Sequence, residues 1–521
     1  MRLRESCMRE IRTCSLRGGR RPALGRPSAP PPTRQRGASE FVGRLTREGP
    51  NRTESETPVP LETAVHQPSN DQFELPLGAR GEAPRHQWSG EAVAASHGTE
   101  RSGPMHGSEG MERIMDRGNL VRALQRVQRN QGSPGVDGLT VEELPAYLKQ
   151  HWGVIREQLL TGTYQPSAVK RVEIPKPGGG MRMLGIPTVL DRFIQQAVLQ
   201  VLQPHIDPTF SESSYGFRPN RRAHDAVCQA QRYVQSGRRW VVDVDLEKFF
   251  DRVNHDVLMG KLAHRIADAR VLRLIRCYLT AGIMADGVVL ERHEGTPQGG
   301  PLSPLLANVL LDTVDKELER RGHCFVRYAD DCNVYVRSKR AAERVMEGLV
   351  SLYAGLKLRV NMAKSAVALA WERSFLGYSF WVTKDDIIKR RVAPKALMAL
   401  QARLRDITSR TSGHSFADVV AELRRYLPGW SAYFRLAETP SELENVDRWL
   451  RRRLRMLVVK QSKRGTTLFR LLRSRGVSVR SARAAAAHCT RWWATAAHAA
   501  LQTAFSNRYF AALDIPRLGS S

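Results

Sequence analysis

Tyr328-Ala329-Asp330-Asp331 stands between two runs of strand composition, Cys324 to Tyr328 and Cys332 to Val336. β-Branched and aromatic residues alternate in both runs, and the short acidic link predicts a tight turn, hence a β-hairpin with two carboxylates at its tip. Carboxylates presented that closely repel one another unless a divalent cation lies between them. On its own the stretch reads more readily as an acidic turn on a surface hairpin than as a metal site. A second acidic strand upstream, Trp240-Val241-Val242-Asp243-Val244-Asp245-Leu246, shifts the balance. Side chains alternate along a strand, so Asp243 and Asp245 share one face. Charge inside an apolar strand costs several kcal/mol, on the order of 2–7, unless it is paired or coordinated. Three carboxylates from two strands can hold two Mg²⁺ ions roughly 3.5–4 Å apart, the arrangement that serves phosphoryl transfer.

The ordered series is longer than these two strands. Asp245-Leu246-Glu247-Lys248-Phe249-Phe250-Asp251, then Gly295-Thr296-Pro297-Gln298-Gly299-Gly300-Pro301-Leu302-Ser303-Pro304-Leu305-Leu306-Ala307-Asn308, then Tyr328-Ala329-Asp330-Asp331 resembles the reverse transcriptases encoded by bacterial group II introns. Ile174-Pro175-Lys176-Pro177-Gly178-Gly179-Gly180-Met181-Arg182, Leu184-Gly185-Ile186-Pro187, Tyr215-Gly216-Phe217-Arg218-Pro219-Asn220-Arg221-Arg222-Ala223-His224-Asp225-Ala226, Lys364-Ser365 and Phe375-Leu376-Gly377-Tyr378 continue the likeness in the same order. An ordered set is far more specific than any single motif.

The resemblance implies an α+β fold, a right-hand polymerase whose fingers and palm carry an antiparallel sheet, followed by an all-helical thumb and maturase domain. It makes Asp245, Asp330 and Asp331 the catalytic metal ligands, with the Leu246 carbonyl as an extra ligand and Mg²⁺ as cofactor. Asp243 is the rival ligand and takes a supporting role. Phe250 falls where the family places a bulky ring under the sugar, which favours dNTPs over NTPs; Phe249 reads as a core aromatic. Gln298 sits in a glycine-rich loop that permits close backbone approach to a nucleotide. Lys176 and Arg182 flank a Gly-Gly-Gly turn suited to triphosphate oxygens, and Lys364 to active-site phosphates. Arg218, Arg221 and Arg222 suit template phosphates or form a solvated cluster. His224 reads as a packing or hydrogen-bonding residue.

Composition points the same way. Across 521 residues the formal charge is +29, which implies a polyanionic partner. The seven cysteines include no C-x-x-C pair, so neither a disulfide framework nor a zinc module is suggested. No uninterrupted apolar run reaches membrane-spanning length, and the start lacks a secretory hydrophobic region, so no membrane partner and a bacterial cytoplasmic location are expected. Arg and Ser near the start suit an organellar transit peptide, but Glu5, Glu10 and Pro30 to Pro32 argue against one.

Residues 1–110, rich in Pro, Gly, Ser, Arg and Glu without periodicity, read as a disordered or leader-like extension. Helical spacing starts near Met111 with Ile114, Leu120, Leu124 and Val127. Fingers and palm are expected over 111–385 and a thumb/maturase (domain X) segment over 390–480. A basic, aromatic nucleic-acid-binding tail is expected over 481–521. Val446, Leu450, Arg453, Leu454 and Leu457 mark one helical face. Arg424, Arg425, Arg451, Arg452 and Arg455 are the candidate RNA contacts, set against a packed amphipathic core. Without a Cys- and His-rich endonuclease after the maturase segment, second-strand cleavage is not expected. The implied partners are group II intron RNA, an RNA template with a DNA primer or DNA target, and dNTPs. A splicing-only RNA-binding maturase and a domesticated reverse transcriptase serving defence are the competing readings.

Overall fold

A computed structural model describes residues 109–519 apart from 176–180, 286–287, 291–293 and 297–298. The extension expected over 1–110 therefore lies, but for its last two residues, outside the described residues.

Chain order within the described part begins with helices. Arg117–Asn130 is capped by Asp116, whose carboxylate accepts from the Asn119 amide at 3.1 Å, and buries Leu120, Ala123, Leu124 and Val127. Helices Leu144–Thr161 and Val189–Ile206 bracket the first hairpin, β1 (Val169–Pro175) and β2 (Met181–Ile186). β1 also pairs in parallel with β4 (Ile283–Ala285), which pairs with β5 (Val288–Leu290), giving a four-stranded fingers sheet in the order β2-β1-β4-β5.

The central sheet has the order β6-β7-β3-β8, from β3 (Trp240–Val244), β6 (Cys324–Tyr328), β7 (Asp331–Val336) and β8 (Ala366–Leu369), with every pair antiparallel. Both faces are covered, so alternate residues along its strands enter two different cores. Val242, Val244, Cys332, Val334 and Phe325 join one core with helices Ser303–Arg320 and Lys339–Gly355. Val241, Val326 and Tyr335 face the other way, toward helix Ala223–Gln235 and a second core.

That second core continues into a small antiparallel sheet, β9 (Ser374–Phe375), β10 (Tyr378–Val382) and β11 (Ile388–Val392), and then into a region of helices only. Its main members are Pro394–Ile407, Phe416–Tyr433, Pro440–Gln461, Gly465–Ser474 and Val479–Ala487. On Pro440–Gln461 the stripe Val446, Leu450, Leu454 and Leu457 is buried, as its spacing predicts. No helix among the described residues is long and apolar enough to cross a membrane.

Candidate active site

The hairpin at Tyr328 to Asp331 forms as its composition predicts. Tyr328 pairs with Asp331, leaving Ala329 and Asp330 as the turn, with Ala329 in the left-handed region at φ 57°. Upstream, the strand is shorter than its sequence suggests: β3 ends at Val244, and Asp245 lies one residue beyond it. The reason is competition for its backbone. The Asp245 amide donates to Ser365 Oγ at 3.0 Å and its carbonyl accepts from the Asn361 amide at 2.8 Å, so the segment 361–365 replaces the ladder. Leu246 then bridges Val360.

The four carboxylates meet at this end of the sheet. Burial and the neighbouring Asp330, Asp243 and Asp245 charges push the Asp331 carboxyl up to about 7, with Lys364 pulling weakly the other way. Asp243 is raised by burial, opposed by Arg373, whose Nε donates to it at 2.7 Å. Asp243 thus already has a cationic partner. Among the described residues Asp245 has Lys364 Nζ as its cationic neighbour, 3.2 Å from an Oδ2 that is buried and makes no hydrogen bond. The 3.2 Å separation is an ion-pair distance without hydrogen-bond alignment, so the lone pairs of that oxygen stay available.

An all-oxygen set with a buried acceptor lacking a donor suits a hard divalent cation. Among the described residues no three His, Cys, Asp or Glu side chains yet converge tightly enough to ligate one. The carboxylates sense one another's charge without sharing a point, as mutual repulsion dictates.

A buried guanidinium that sequence reasoning missed holds the turn. Arg327, in β6, is fully buried with Asp315, donating to it through Nε at 2.8 Å and Nη2 at 2.5 Å. It also donates to the Ala329 carbonyl at 2.9 Å, Asn308 Oδ1 at 2.9 Å and Ser214 Oγ at 2.7 Å. Asn308 in turn donates to the Gly216 carbonyl at 2.9 Å. Gly216 lies so close that a Cβ there would sit 2.1 Å from the Ala329 amide nitrogen. The only sequence signal for this hub is an arginine inside an apolar strand, which demands a buried partner.

Next to Gly216, Phe217 keeps a left-handed backbone at φ 61° and exposes 43% of its surface. A bulky side chain in that conformation is strained and marks a functional position. Phe250 is half-buried and packs edge-on against buried Phe249, with ring centroids 5.1 Å apart. The Thr296 amide donates to the Phe250 carbonyl at 2.7 Å. A Cβ on Gly299 would lie 2.5 Å from the Gly185 carbonyl oxygen, so Gly299 itself is pressed against β2. Gln298 and Lys176 lie outside the described residues, and Arg182 is placed by its register opposite Ile174.

Residues 174–380 match the family "Reverse transcriptase (RNA-dependent DNA polymerase)", and residues 397–476 match "Group II intron, maturase-specific domain". Protein YkfC of Escherichia coli (strain K12) is 34% identical over 274 residues, 45% of this chain and 72% of that one. The chain belongs to the group II intron reverse transcriptase/maturase family. Group II intron-encoded protein LtrA of Lactococcus lactis subsp. cremoris is 37% identical over 195 residues, 37% of this chain but only 32% of LtrA. A solved structure titled "Partial Cas6-RT-Cas1--Cas2 complex" is 27% identical, covering 47% of this chain and 42% of its own, at TM-score 0.31.

In this group II intron reverse transcriptase/maturase the arginines expected on nucleic acid divide into two kinds. Arg218 is buried and donates to Asp207 Oδ1 at 3.0 Å and to the Ser211 and Ser214 carbonyls at 2.6 and 3.0 Å. Arg221 pairs with Glu212. Arg451 is 1% exposed, paired to Asp447 and donating to the Pro516 carbonyl at 3.2 Å, so no phosphate reaches it. Arg452 donates to the Trp493 carbonyl at 3.0 Å, Arg455 to that of Phe505 at 2.9 Å and Arg424 to that of Leu513 at 2.6 Å. These guanidiniums satisfy carbonyls of the C-terminal helices. Arg222, Arg424 and Arg425 are exposed, Arg424 while also bonded to the Leu513 carbonyl. His224 hydrogen-bonds the Tyr433 carbonyl at 2.6 Å, the packing role its sequence context suggests.

Proposed function

We propose that this protein catalyses Mg²⁺-dependent DNA synthesis on an RNA template in a bacterial cytoplasm, and that it binds its parent group II intron RNA to assist splicing and mobility. The observation that carries the reading is the carboxylate cluster: Asp331 raised by desolvation and by Asp330, Asp243 and Asp245, beside a buried Asp245 Oδ2 that has an ion-pair neighbour in Lys364 but no hydrogen bond. A divalent ion held there supplies charge relief on the triphosphate and activates the attacking oxygen.

In this reading Asp245, Asp330 and Asp331 hold the metal, with the Leu246 carbonyl assisting, and Asp243 stays bound to Arg373 as an orienting group. Lys364, 3.2 Å from Asp245 Oδ2, would contact the nucleotide phosphates. Lys176, Arg182 and Gln298 contact the incoming dNTP, and Phe250 limits the space at its sugar. Arg222 and Arg425, and in part Arg424, are the exposed cations of the original set that would meet RNA or primer–template phosphates. Fingers and palm occupy 111–385 and the thumb/maturase part follows over 390–480, with residues 481–519 packed on it.

Primer extension on poly(rA)/oligo(dT) with Mg²⁺ and dTTP tests the assignment. Extension by the parent protein and none by Asp330→Ala is expected. Extension unaffected by that substitution refutes the metal assignment, and none from the parent protein points to a splicing-only role.

A further inference from the structure

The end of β3 opposite the carboxylates carries a second feature. Trp240 opens the strand and Asp245 follows its close, so at about 3.3 Å per residue the two ends stand roughly 15–20 Å apart. There the small sheet turns Tyr378 and Phe380 of β10, and Ile388 and Val392 of β11, into the core. Alternation places Trp381, with Lys389 and Arg391 of the partner strand, on the opposite face; the register pairs Trp381 with Lys389 and Ser379 with Arg391. Arg390 points the other way and is held by Glu438 at 3.1 Å.

Trp381 is 46% exposed. With Trp371 it lines an open groove whose other walls are Arg239, Phe380, Val382 and Arg391. Arg391 spends Nε on Ser379 Oγ at 3.1 Å, and its terminal nitrogens have no protein partner among the described residues. Arg239 is paired with Asp386, so Arg391 is the open cation of the lining, and Lys389, cross-strand from Trp381 on the same face, lies next to that lining rather than in it.

We infer that this groove binds single-stranded RNA, one unpaired base stacking on Trp381 while Arg391 and Lys389 meet the flanking phosphates. Indole faces beside guanidinium and ammonium groups on an antiparallel sheet match the alternation of base and phosphate along a single strand. A duplex keeps its base faces stacked and offers none to an indole. An acidic peptide has charge for the arginine but no planar ring repeating beside it. The choice of RNA rests on the RNA-binding reading proposed above.

The full-length protein is irradiated with a twelve-residue oligo(U) RNA carrying 4-thiouridine, and adducts are mapped by mass spectrometry. Adducts within residues 371–391 are expected. Their yield drops roughly five- to hundredfold in Trp381→Ala, the range of one lost stack, recovers in Trp381→Phe and falls in Arg391→Gln. Adducts confined to other segments overturn the groove while leaving RNA binding intact. Equal competition by the matching DNA, or by RNA duplex, overturns the assignment to single-stranded RNA. No adduct anywhere, together with no extension on poly(rA)/oligo(dT), sinks the underlying reading instead.

Discussion

Desolvation by the packed end of the sheet and the charges of three further carboxylates push the Asp331 carboxyl up to about 7, although the residue itself keeps an exposed surface. A cation needs the carboxyl proton gone, so proton and metal compete. Apparent Mg²⁺ affinity, read from the metal dependence of extension, is therefore expected to weaken up to about tenfold per pH unit below about 7, and to level off above it. Chelation with EDTA should stop extension and added Mg²⁺ restore it. Asp330→Ala should lower extension by at least about a hundredfold. At Gly216 the limit is space rather than charge. Gly216→Ala forces a methyl to within 2.1 Å of the Ala329 amide, so the hairpin tip must shift. We expect a stability loss of about 1–3 kcal/mol by denaturant unfolding and a larger proportional loss of extension.

The hairpin as an element is held from behind by Arg327 and Asp315. Removing one partner from a buried ion pair leaves an uncompensated charge, at a cost of about 3–5 kcal/mol, whereas replacing both with apolar residues is often neutral. Arg327→Leu alone should thus unfold at markedly lower denaturant. Arg327→Leu with Asp315→Leu should recover most of the stability yet not the extension rate, because the bonds to Ala329, Asn308 and Ser214 stay lost. A double variant that regains full polymerisation would show the hub to be structural padding. The hairpin and the β3 carboxylates were legible from period-two alternation and from the cost of charge in a strand. What the sequence could not show is that β3 stops at Val244, since the residues that take its backbone lie 116–120 positions away at Asn361 and Ser365. Arg327 was invisible for the same reason: its partners come from three separate segments.

Over the whole molecule, a charge of +29 overstates the surface available to nucleic acid. Many arginines of the C-terminal region are used inside the protein, stacked on aromatic rings as Arg452 is on Trp493 at 4.2 Å, or bonded to helix-end carbonyls. Local composition cannot separate these from outward-facing cations, because an amphipathic helix rich in arginine reads alike in both cases. The helical stripe at Val446, Leu450, Leu454 and Leu457 was readable, and the destination of Arg451 was not. Arg451→Ala should therefore lower the unfolding midpoint, with lost RNA affinity following from lost structure. Arg425→Gln should leave the midpoint unchanged, weaken RNA binding and reduce the salt slope of the binding constant by about one unit or less.

One guanidinium fastening Ser214, Asn308, Asp315 and the Ala329 turn ties together stretches that the gene keeps far apart. Drift at any of them is felt by the rest, so tolerated variation there should arrive in concerted sets rather than as lone replacements. A library randomising the four positions together ought to return functional combinations that no stepwise walk through single changes would reach.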